Sequence, residues 1–232
     1  MYVLILNGSP SRNRGATYGV LKYFIQGLEK GGADVDLIHV SKLNINGCRG
    51  CFTCWTKTPG VCTQKDDMSE LLPKIDLSDV LVLATPVYVD GMSSQLKTVL
   101  DRSIPLLSGK VELRDGHCRH PSRSGRNGRK IALVSVCGFA ELDNFDVLVQ
   151  HVKAIAKNEN RNYVGAVLRP YAWAFNHADE MRLNVDDIIQ AVEAAGEQLA
   201  SSGTMDQDTL NTISRTVLPA EVVAKIISSQ FN

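Results

Sequence analysis

Four of the six cysteines in the sequence fall within fifteen residues: Cys48, Cys51, Cys54 and Cys62. Three of them follow one another at two-residue spacing, which is too close for a comfortable disulfide framework. A reducing cytosol would keep such thiols free, so the cluster indicates a metal site. Four thiolates from one loop suit a cubane iron-sulfur cluster, and glycines within the loop would let the backbone wrap around it. Zinc also takes four cysteines, but its sites usually bring two Cys-x2-Cys pairs from separated segments, and the second pair is missing here.

A second candidate site is the polar loop Gly8-Ser9-Pro10-Ser11-Arg12-Asn13, which follows the first apolar run. Hydroxyls, a guanidinium and the free N–H groups of a following helix can converge there on one phosphate. The candidate phosphate ligands are Ser9, Ser11, Arg12 or Arg14, Ala16 and Thr17. The spacing matches neither the triphosphate loop Gly-x-x-x-x-Gly-Lys-Ser/Thr nor the dinucleotide motif Gly-x-Gly-x-x-Gly. An ordinary polar turn after a strand is the alternative interpretation.

Two further loops could face a flat heteroaromatic ring. One is Thr85-Pro86-Val87-Tyr88-Val89, where the proline fixes the chain direction, and the other is the small-residue turn Ser135-Val136-Cys137-Gly138. Taken alone, Tyr88 fits ordinary packing and Cys137 fits a small buried apolar side chain. Their interpretation therefore depends on where the fold places both loops.

The elements that must position these loops follow from the apolar periodicity. Apolar runs predict five strands at 2–6, 34–40, 80–84, 130–136 and 163–168, and helical spacing predicts helices at 17–28, 66–75, 93–107, 145–157 and 185–199. Strands that alternate with helices specify an α/β fold with a doubly wound five-stranded parallel sheet and helices on both faces, because parallel neighbours need helical crossovers. Ligands of such sheets bind beyond the carboxyl ends of the strands, where the strand order reverses. The candidate loops, including the cysteine loop at 41–65, are expected at that edge.

The composition is that of an ordinary globular protein. The 232 residues are 44% apolar and 22% charged, and 25 acidic residues balance 25 Lys and Arg. Zero formal charge gives no global field that would attract nucleic acid or an anionic membrane. Neither a signal peptide nor a run of ~18 apolar residues is visible, which indicates a cytoplasmic protein. We expect one domain over 1–203 and a C-terminal helical extension over 204–232.

The sequence resembles the NADPH-dependent FMN reductase-like flavodoxins, and within them the iron-sulfur flavoproteins. The resemblance rests on four motifs in this order: Asn7-Gly8-Ser9-Pro10, the cysteine run ending in Asp66-Asp67-Met68, Thr85-Pro86-Val87-Tyr88, and Leu96-Lys97 with Asp101-Arg102. It is strong over roughly 1–102, and beyond residue 108 it extends only to the order of strands and helices. The set as a whole is specific, although each motif alone is weak.

The resemblance implies a flavodoxin-like fold and bound FMN. It implies that the phosphate lies at Ser9 to Thr17, and that the isoalloxazine ring lies at the residues Pro86, Val87, Tyr88, Val89, Cys137 and Gly138. It also implies a four-iron, four-sulfur cluster on all four clustered cysteines. The sequence departs from the family's usual loop Gly-Ser-Pro-Arg-Lys-Asn-Gly-Asn-Thr, because Ser11 replaces the first basic residue and one extra residue precedes Thr17. Which arginine meets the phosphate is therefore left open.

The function implied is that of an FMN-dependent oxidoreductase that takes electrons from a ferredoxin-like carrier or NAD(P)H and passes them to a small acceptor, as a homodimer or homotetramer. No catalytic acid, base or nucleophile stands out, as expected where a flavin supplies the chemistry. One alternative is a cluster-free NAD(P)H-dependent FMN or quinone reductase. Another is a non-catalytic module with a zinc-binding cysteine loop. Lys97, Asp101 and Arg102 are interpreted as a structural ion-pair pattern, and the basic segment 110–130 as a solvated connection.

Overall fold

The structure, a computed structural model, describes residues 1–229, and within them the chain is organised around one parallel sheet. The strands are β1 (Tyr2–Asn7), β2 (Asp34–His39), β3 (Val80–Pro86), β4 (Glu112–Arg114), β5 (His117–Arg119), β6 (Lys130–Val136) and β7 (Asn162–Arg169). Five of them form the sheet in the order β2-β1-β3-β6-β7, while β4 and β5 form a separate antiparallel hairpin. This is the strand order of flavodoxin-like folds, so the predicted fold class is confirmed.

Helices cover both faces of the sheet. Within residues 1–229 they are α1 (Ala16–Lys30), α2 (Thr53–Thr56), α3 (Met68–Leu77), α4 (Ser94–Asp101), α5 (Asp146–Glu159), α6 (Ala172–Asn176), α7 (Asp186–Ser201), α8 (Gln207–Ser214) and α9 (Ala220–Ser229). On one face α1 and α7 cross closely at Gly27, where the absence of a side chain allows the approach. A Cβ there would lie only 1.8 Å from the carbonyl oxygen of Glu193. The other face is covered by α3, α4 and α5.

The central strands are apolar along their whole length because both faces of the sheet are covered. In β1, Val3 and Ile5 face the α1 and α7 side, whereas Leu4 and Leu6 face the α3, α4 and α5 side. None of these four side chains is exposed to solvent. The strand order reverses between β1 and β3, which places the loops after these two strands side by side.

Two stretches differ from the sequence-based prediction. The helix predicted at 93–107 ends as α4 at Asp101, and a short 3-10 turn, Ile104–Leu106, follows it. Pro105 has no backbone N–H to continue an α-helix. The β4–β5 hairpin lies in a segment for which no strand was predicted, because its three-residue strands are too short and too polar to show periodicity.

Residues from 204–229 pack on the sheet domain. Met205, Leu210 and Ile213 belong to the core on the α1 and α7 side, and Val223 packs against Tyr171. The prediction for 204–232 also includes residues 230–232, which lie outside the described part of the chain. No helix within residues 1–229 combines the length and apolarity that crossing a membrane requires.

Candidate functional site

Buried hydrogen bonds hold the loop after β1 in place. The Asn7 side-chain oxygen accepts from the Ser9 N–H at 2.9 Å, and the Gly8 N–H donates to the Ala84 carbonyl of β3 at 2.8 Å. Ser93, the N-cap residue of α4, donates its hydroxyl to the Gly8 carbonyl at 2.7 Å. These contacts fix the loop against both the neighbouring strand and α4.

The same loop forms a small cradle at the N-terminus of α1. A Cβ on Gly15 would lie 2.9 Å from both the Ser9 Oγ and the Ser11 Cβ, so these groups share one small volume. No side chain caps α1, and the first N–H groups of a helix have no partners within it. Hydroxyls and open N–H groups with the positive end of a helix dipole suit an anion. Ala16 begins α1, and the Thr17 side chain is buried within its first turn.

The two candidate arginines of this loop have different contacts. Arg12 adopts a left-handed backbone conformation (φ 53°), and its Nε donates to the Ser41 hydroxyl at 3.3 Å. Arg14 lines a separate cleft between α1 and the segment 175–189, together with Tyr18 and Lys22. The structure therefore directs Arg12 towards the start of the cysteine loop and Arg14 away from it.

The loop after β3 leaves β-structure through a tight and strained turn. The Val87 N–H still pairs with the Val136 carbonyl at 2.8 Å, and Tyr88 and Gly91 then exchange hydrogen bonds at 2.9 and 3.1 Å. Val89 and Asp90, the two residues between them, both have positive φ (46° and 60°), as in a type I′ turn. Tyr88 is 51% exposed and Val89 98% exposed. An apolar turn thus projects from the sheet edge into solvent.

The loop after β6 lies next to it, because β6 pairs with β3. The Cys137 side chain is buried, its thiol donates to the Phe139 carbonyl at 3.2 Å, and burial raises the pKa of this thiol. A Cβ on Gly138 would meet no atom within 4 Å, and Phe139 is exposed. Together with the turn at Tyr88, this gives the edge a partly apolar and open surface beside the cradle, which suits a planar ring joined to a phosphate.

The four clustered cysteines line one cleft. Its other walls include Phe52, Arg102 and Pro105. All four thiols are free; Cys48 and Cys51 are exposed, whereas Cys54 and Cys62 are half-buried. In the part of the chain that the structure describes, no three His, Cys, Asp or Glu side chains are arranged to hold one metal ion.

The environment differs between the cysteines. A hydrogen bond from Thr53 lowers the pKa of Cys51. Burial raises the pKa of Cys54, and the nearby thiol of Cys62 raises it further. Both residues line the cleft that the four cysteines share.

Sequence reasoning missed the buried ion pair that anchors this loop. Arg102 follows α4, and its guanidinium makes hydrogen bonds of 2.6 and 2.9 Å to the carboxylate of Asp66, with both side chains 1% exposed. Burial disfavours the carboxylate, but hydrogen bonds from Arg102 and from the N–H groups of Asn46 and Met68 outweigh it and lower the pKa of Asp66 to about 2. The ion-pair interpretation of Lys97 and Asp101 agrees with their 2.6 Å contact, but the partner of Arg102 lies 36 residues away in sequence.

Comparisons with known proteins agree with this architecture. The model of the NADPH-dependent FMN reductase family matches residues 1–180. An iron-sulfur flavoprotein of Archaeoglobus fulgidus is 37% identical over 134 residues, which cover 58% of this chain and 54% of that protein. An iron-sulfur flavoprotein of Methanocaldococcus jannaschii is 34% identical over 142 residues, which cover 60% of this chain and 70% of that protein. The chain spans about half the length of most of the curated relatives it matches.

Solved structures of low sequence identity share the fold. An FMN-dependent NADH-azoreductase from Bacillus anthracis in complex with FMN superposes with a TM-score of 0.62 at 16% identity, over 88% of this chain and 99% of that one. An NAD(P)H:quinone oxidoreductase from Methanothermobacter marburgensis gives a TM-score of 0.60 at 16% identity, over 86% and 96% of the two chains.

Proposed function

The chain belongs to the NADPH-dependent FMN reductase family, and on this premise we propose that it is an FMN-dependent oxidoreductase of the iron-sulfur flavoprotein type. It passes electrons between a one-electron carrier or NAD(P)H and a small acceptor. The observation that carries the proposal is the placement of four thiols in one cleft on the loop that leaves the same sheet edge as the anion cradle.

Residues of three loops would hold FMN. The hydroxyls of Ser9 and Ser11 and the open N–H groups at the start of α1 suit the phosphate, while the exposed apolar turn at Tyr88 and Val89 and the open position at Gly138 suit the ring. The Arg12 guanidinium reaches Ser41, so the phosphate would be held mainly by hydroxyls and backbone groups. FMN supplies the means to accept and pass on electrons, whereas the chain binds and orients it.

The cysteine cleft fits a cluster better than a single zinc ion. Its donor set is four thiolates, as a cubane cluster requires, and such a cluster bonds each thiolate to a different iron atom. The ligating sulfurs consequently lie farther apart than those around one tetrahedral ion. In this chain the four thiols come from one loop and line one cleft, whereas zinc sites usually bring two Cys-x2-Cys pairs from separated segments. We assign all four clustered cysteines as ligands, with the cluster as a one-electron relay.

The visible spectrum and metal content of protein purified without oxygen test the proposal. Flavin bands on broad brown absorption, with four iron and four sulfide per chain, are the expected result. A yellow protein without iron would reject the cluster and leave the cluster-free NAD(P)H-dependent reductase. A colourless protein that contains zinc would reject both redox functions.

A matched pair of cysteine variants tests whether the two sites are separate. Cys51→Ala should lose iron and retain FMN, because Cys51 lines the cysteine cleft and none of the three flavin loops. Cys118→Ala, at an exposed thiol of the β4–β5 hairpin, should retain both groups. Loss of FMN from Cys51→Ala would contradict the assignment of two adjacent but separable sites.

A further inference from the structure

Arg102 contacts the cysteine loop at three places, although it lies outside it. Its guanidinium donates to the Asn46 carbonyl at 2.6 Å, to the Asp66 carboxylate, and to the Cys62 sulfur at 3.5 Å. Its Nε–H is buried and has no hydrogen-bond acceptor among the described residues. The side chain also lines the cleft that holds the four cysteine side chains.

We propose that Arg102 is a positioning residue for the cluster. In the metal-free chain it holds together residues 44–46 and 66–67, which lie at the two ends of the cysteine loop and are called the neck below. In the loaded protein it donates a charged hydrogen bond to the Cys62 thiolate. The inference rests on the proposed function, because it assigns a further residue to the same metal site.

Closure of the neck follows from the hydrogen bonds between the two ends of the loop. The Asn44 N–H donates to the Asp67 carboxylate at 2.6 Å, and the Asn46 N–H donates to the Asp66 carboxylate at 3.1 Å. The guanidinium of Arg102, the residue that follows α4, donates to both Asn46 and Asp66 and so joins the two sides of the neck. The planar fork of arginine can bind a carboxylate with two N–H groups and still reach other acceptors, which a lysine ammonium on its flexible stem cannot reproduce.

The negative charge of the cysteine cleft gives the hydrogen bond from Arg102 to the Cys62 sulfur a role. Gathering four thiolates in one cleft concentrates negative charge, and reduction of the cluster adds to it. Hydrogen bonds to the ligating sulfurs spread that charge and are among the factors that set the potential of such clusters. The Asp66 carboxylate balances the charge of Arg102. Loss of the guanidinium donor to Cys62 and loss of the Asp66 charge should therefore shift the potential in opposite directions.

The test compares Arg102→Lys, Asp66→Asn and a control, Lys97→Gln, which removes the cation of an exposed ion pair in α4. The first readout is the midpoint potential of the loaded protein, from an anaerobic reductive titration followed by visible absorption and electron paramagnetic resonance. Arg102→Lys should lower the potential because the sulfur loses its donor. Asp66→Asn should raise it because the guanidinium loses its counter-charge, and Lys97→Gln should leave it unchanged.

The second readout needs no cluster. In chelator-treated protein, trypsin should cut after Arg49 or Lys57 about tenfold faster in Arg102→Lys than in the wild type or in Lys97→Gln, because opening of the loop limits cleavage.

The outcomes separate the two ideas. Opposite shifts of potential together with faster cleavage support the proposal. If the ion pair is purely structural, the midpoint potentials of Arg102→Lys and Asp66→Asn should shift in the same direction or stay at the wild-type value. That result overturns the sulfur contact. Equal cleavage rates overturn the closure of the neck. Wild-type protein that binds no iron rejects the proposed cluster and with it the sulfur contact, while the cleavage rates still decide whether Arg102 closes the loop.

Discussion

Val89 shows how a strained residue can mark a binding edge. A β-branched residue is unfavourable at positive φ, and a fully exposed apolar side chain gains nothing from packing. Val89 has both features, with φ 46° and 98% exposure, in a turn whose type favours Asn and Gly. We expect Val89→Asn to raise the free energy of unfolding of the FMN-free protein by about 1 kcal/mol, measured by urea denaturation.

The same substitution should weaken FMN binding if the turn contacts the ring. Removing the isopropyl group removes apolar area, so the Kd for FMN, from quenching of flavin fluorescence, should rise severalfold. Asp90→Asn is the control, because Asn and Asp both tolerate its φ of 60° and neither changes the apolar surface. A Val89→Asn protein that is less stable, or that binds FMN as before, would contradict the assignment of this turn.

Asp66 should make the stability of the metal-free protein depend on pH. Its pKa is about 2 in the folded chain and ordinarily 3.8, so its stabilisation is complete above about pH 4 and declines as the pH falls towards 2. About 1 kcal/mol of the difference between the wild type and Asp66→Asn should therefore vanish by pH 3. Urea denaturation at steps from pH 6 to pH 3 measures it. In an Arg102→Gln background the pH-dependent part should shrink, since the carboxylate keeps only the N–H donors of Asn46 and Met68. An undiminished pH dependence would show that Arg102 is not its main cause.

At the scale of elements, Ser93 joins α4 to the cradle after β1. Its hydroxyl accepts from the Leu96 N–H at 3.4 Å, which caps α4, and donates to the Gly8 carbonyl at 2.7 Å. We expect Ser93→Ala to lower the free energy of unfolding by about 2 kcal/mol, because a helix cap and a buried hydrogen bond are lost together.

Ser93→Ala should also weaken FMN binding, because Gly8 begins the cradle. Ser94→Ala, at the neighbouring residue whose exposed hydroxyl donates to the Gln95 side chain, is the matched control and should change neither quantity by more than about 0.5 kcal/mol. Unchanged affinity in Ser93→Ala would show that the cradle keeps its shape without α4.

The five strands of the sheet and their parallel direction could be predicted because they depend on local patterns. The apolar runs that form β1 and β3 are long enough to be recognised, and the parallel order follows from alternation with helices. The candidate loops then fall at one edge for topological reasons. The contacts that shape them could not be predicted, since Ser93 lies 85 residues from Gly8 and Arg102 lies 36 from Asp66. Nothing in the sequence near either residue specifies its partner.

The sequence also could not decide which of Arg12 and Arg14 lies near the cradle, although the two are only two residues apart. The sequence offered Arg12 and Arg14 as alternatives for one phosphate, because both lie in the right loop. Their directions depend on what surrounds the loop: Ser41 after β2 accepts from Arg12, and the segment after α6 forms a cleft with Arg14. Sequence can name the candidates in such a loop, but the packing of distant segments selects among them.

At the scale of the whole molecule, a buried arginine of the sheet domain binds the segment after residue 203. Arg169 at the end of β7 is fully buried, and it donates to the carbonyls of Ile213 and Arg215 at 2.6 and 2.8 Å. Burial lowers the pKa of this guanidinium to about 10, as expected for a charge held in the interior. Because the N–H of Cys137 donates to the carbonyl of Arg169, the same residue links the segment to the loop after β6.

Two truncations should therefore behave differently. Removing 204–232 takes Met205, Leu210 and Ile213 out of the core and leaves Arg169 buried without these acceptors. Each buried apolar side chain contributes about 1.5–3 kcal/mol. The sum approaches the stability of a whole domain, so chain 1–203 should not unfold cooperatively in urea or show a native near-ultraviolet spectrum.

Removing 217–232 retains α8 and the acceptors of Arg169, and loses the buried Val223 with the partly buried Val217, Leu218 and Ile227 around Tyr171. Chain 1–216 should fold with a loss of roughly 2–3 kcal/mol, measured by the same urea denaturation. If chain 1–203 folds as stably as chain 1–216, then the boundary at residue 203 separates a complete domain from an accessory extension. If only chain 1–216 folds, α8 is part of the sheet domain, and the loop after β6 depends on a segment that the sequence pattern placed outside it.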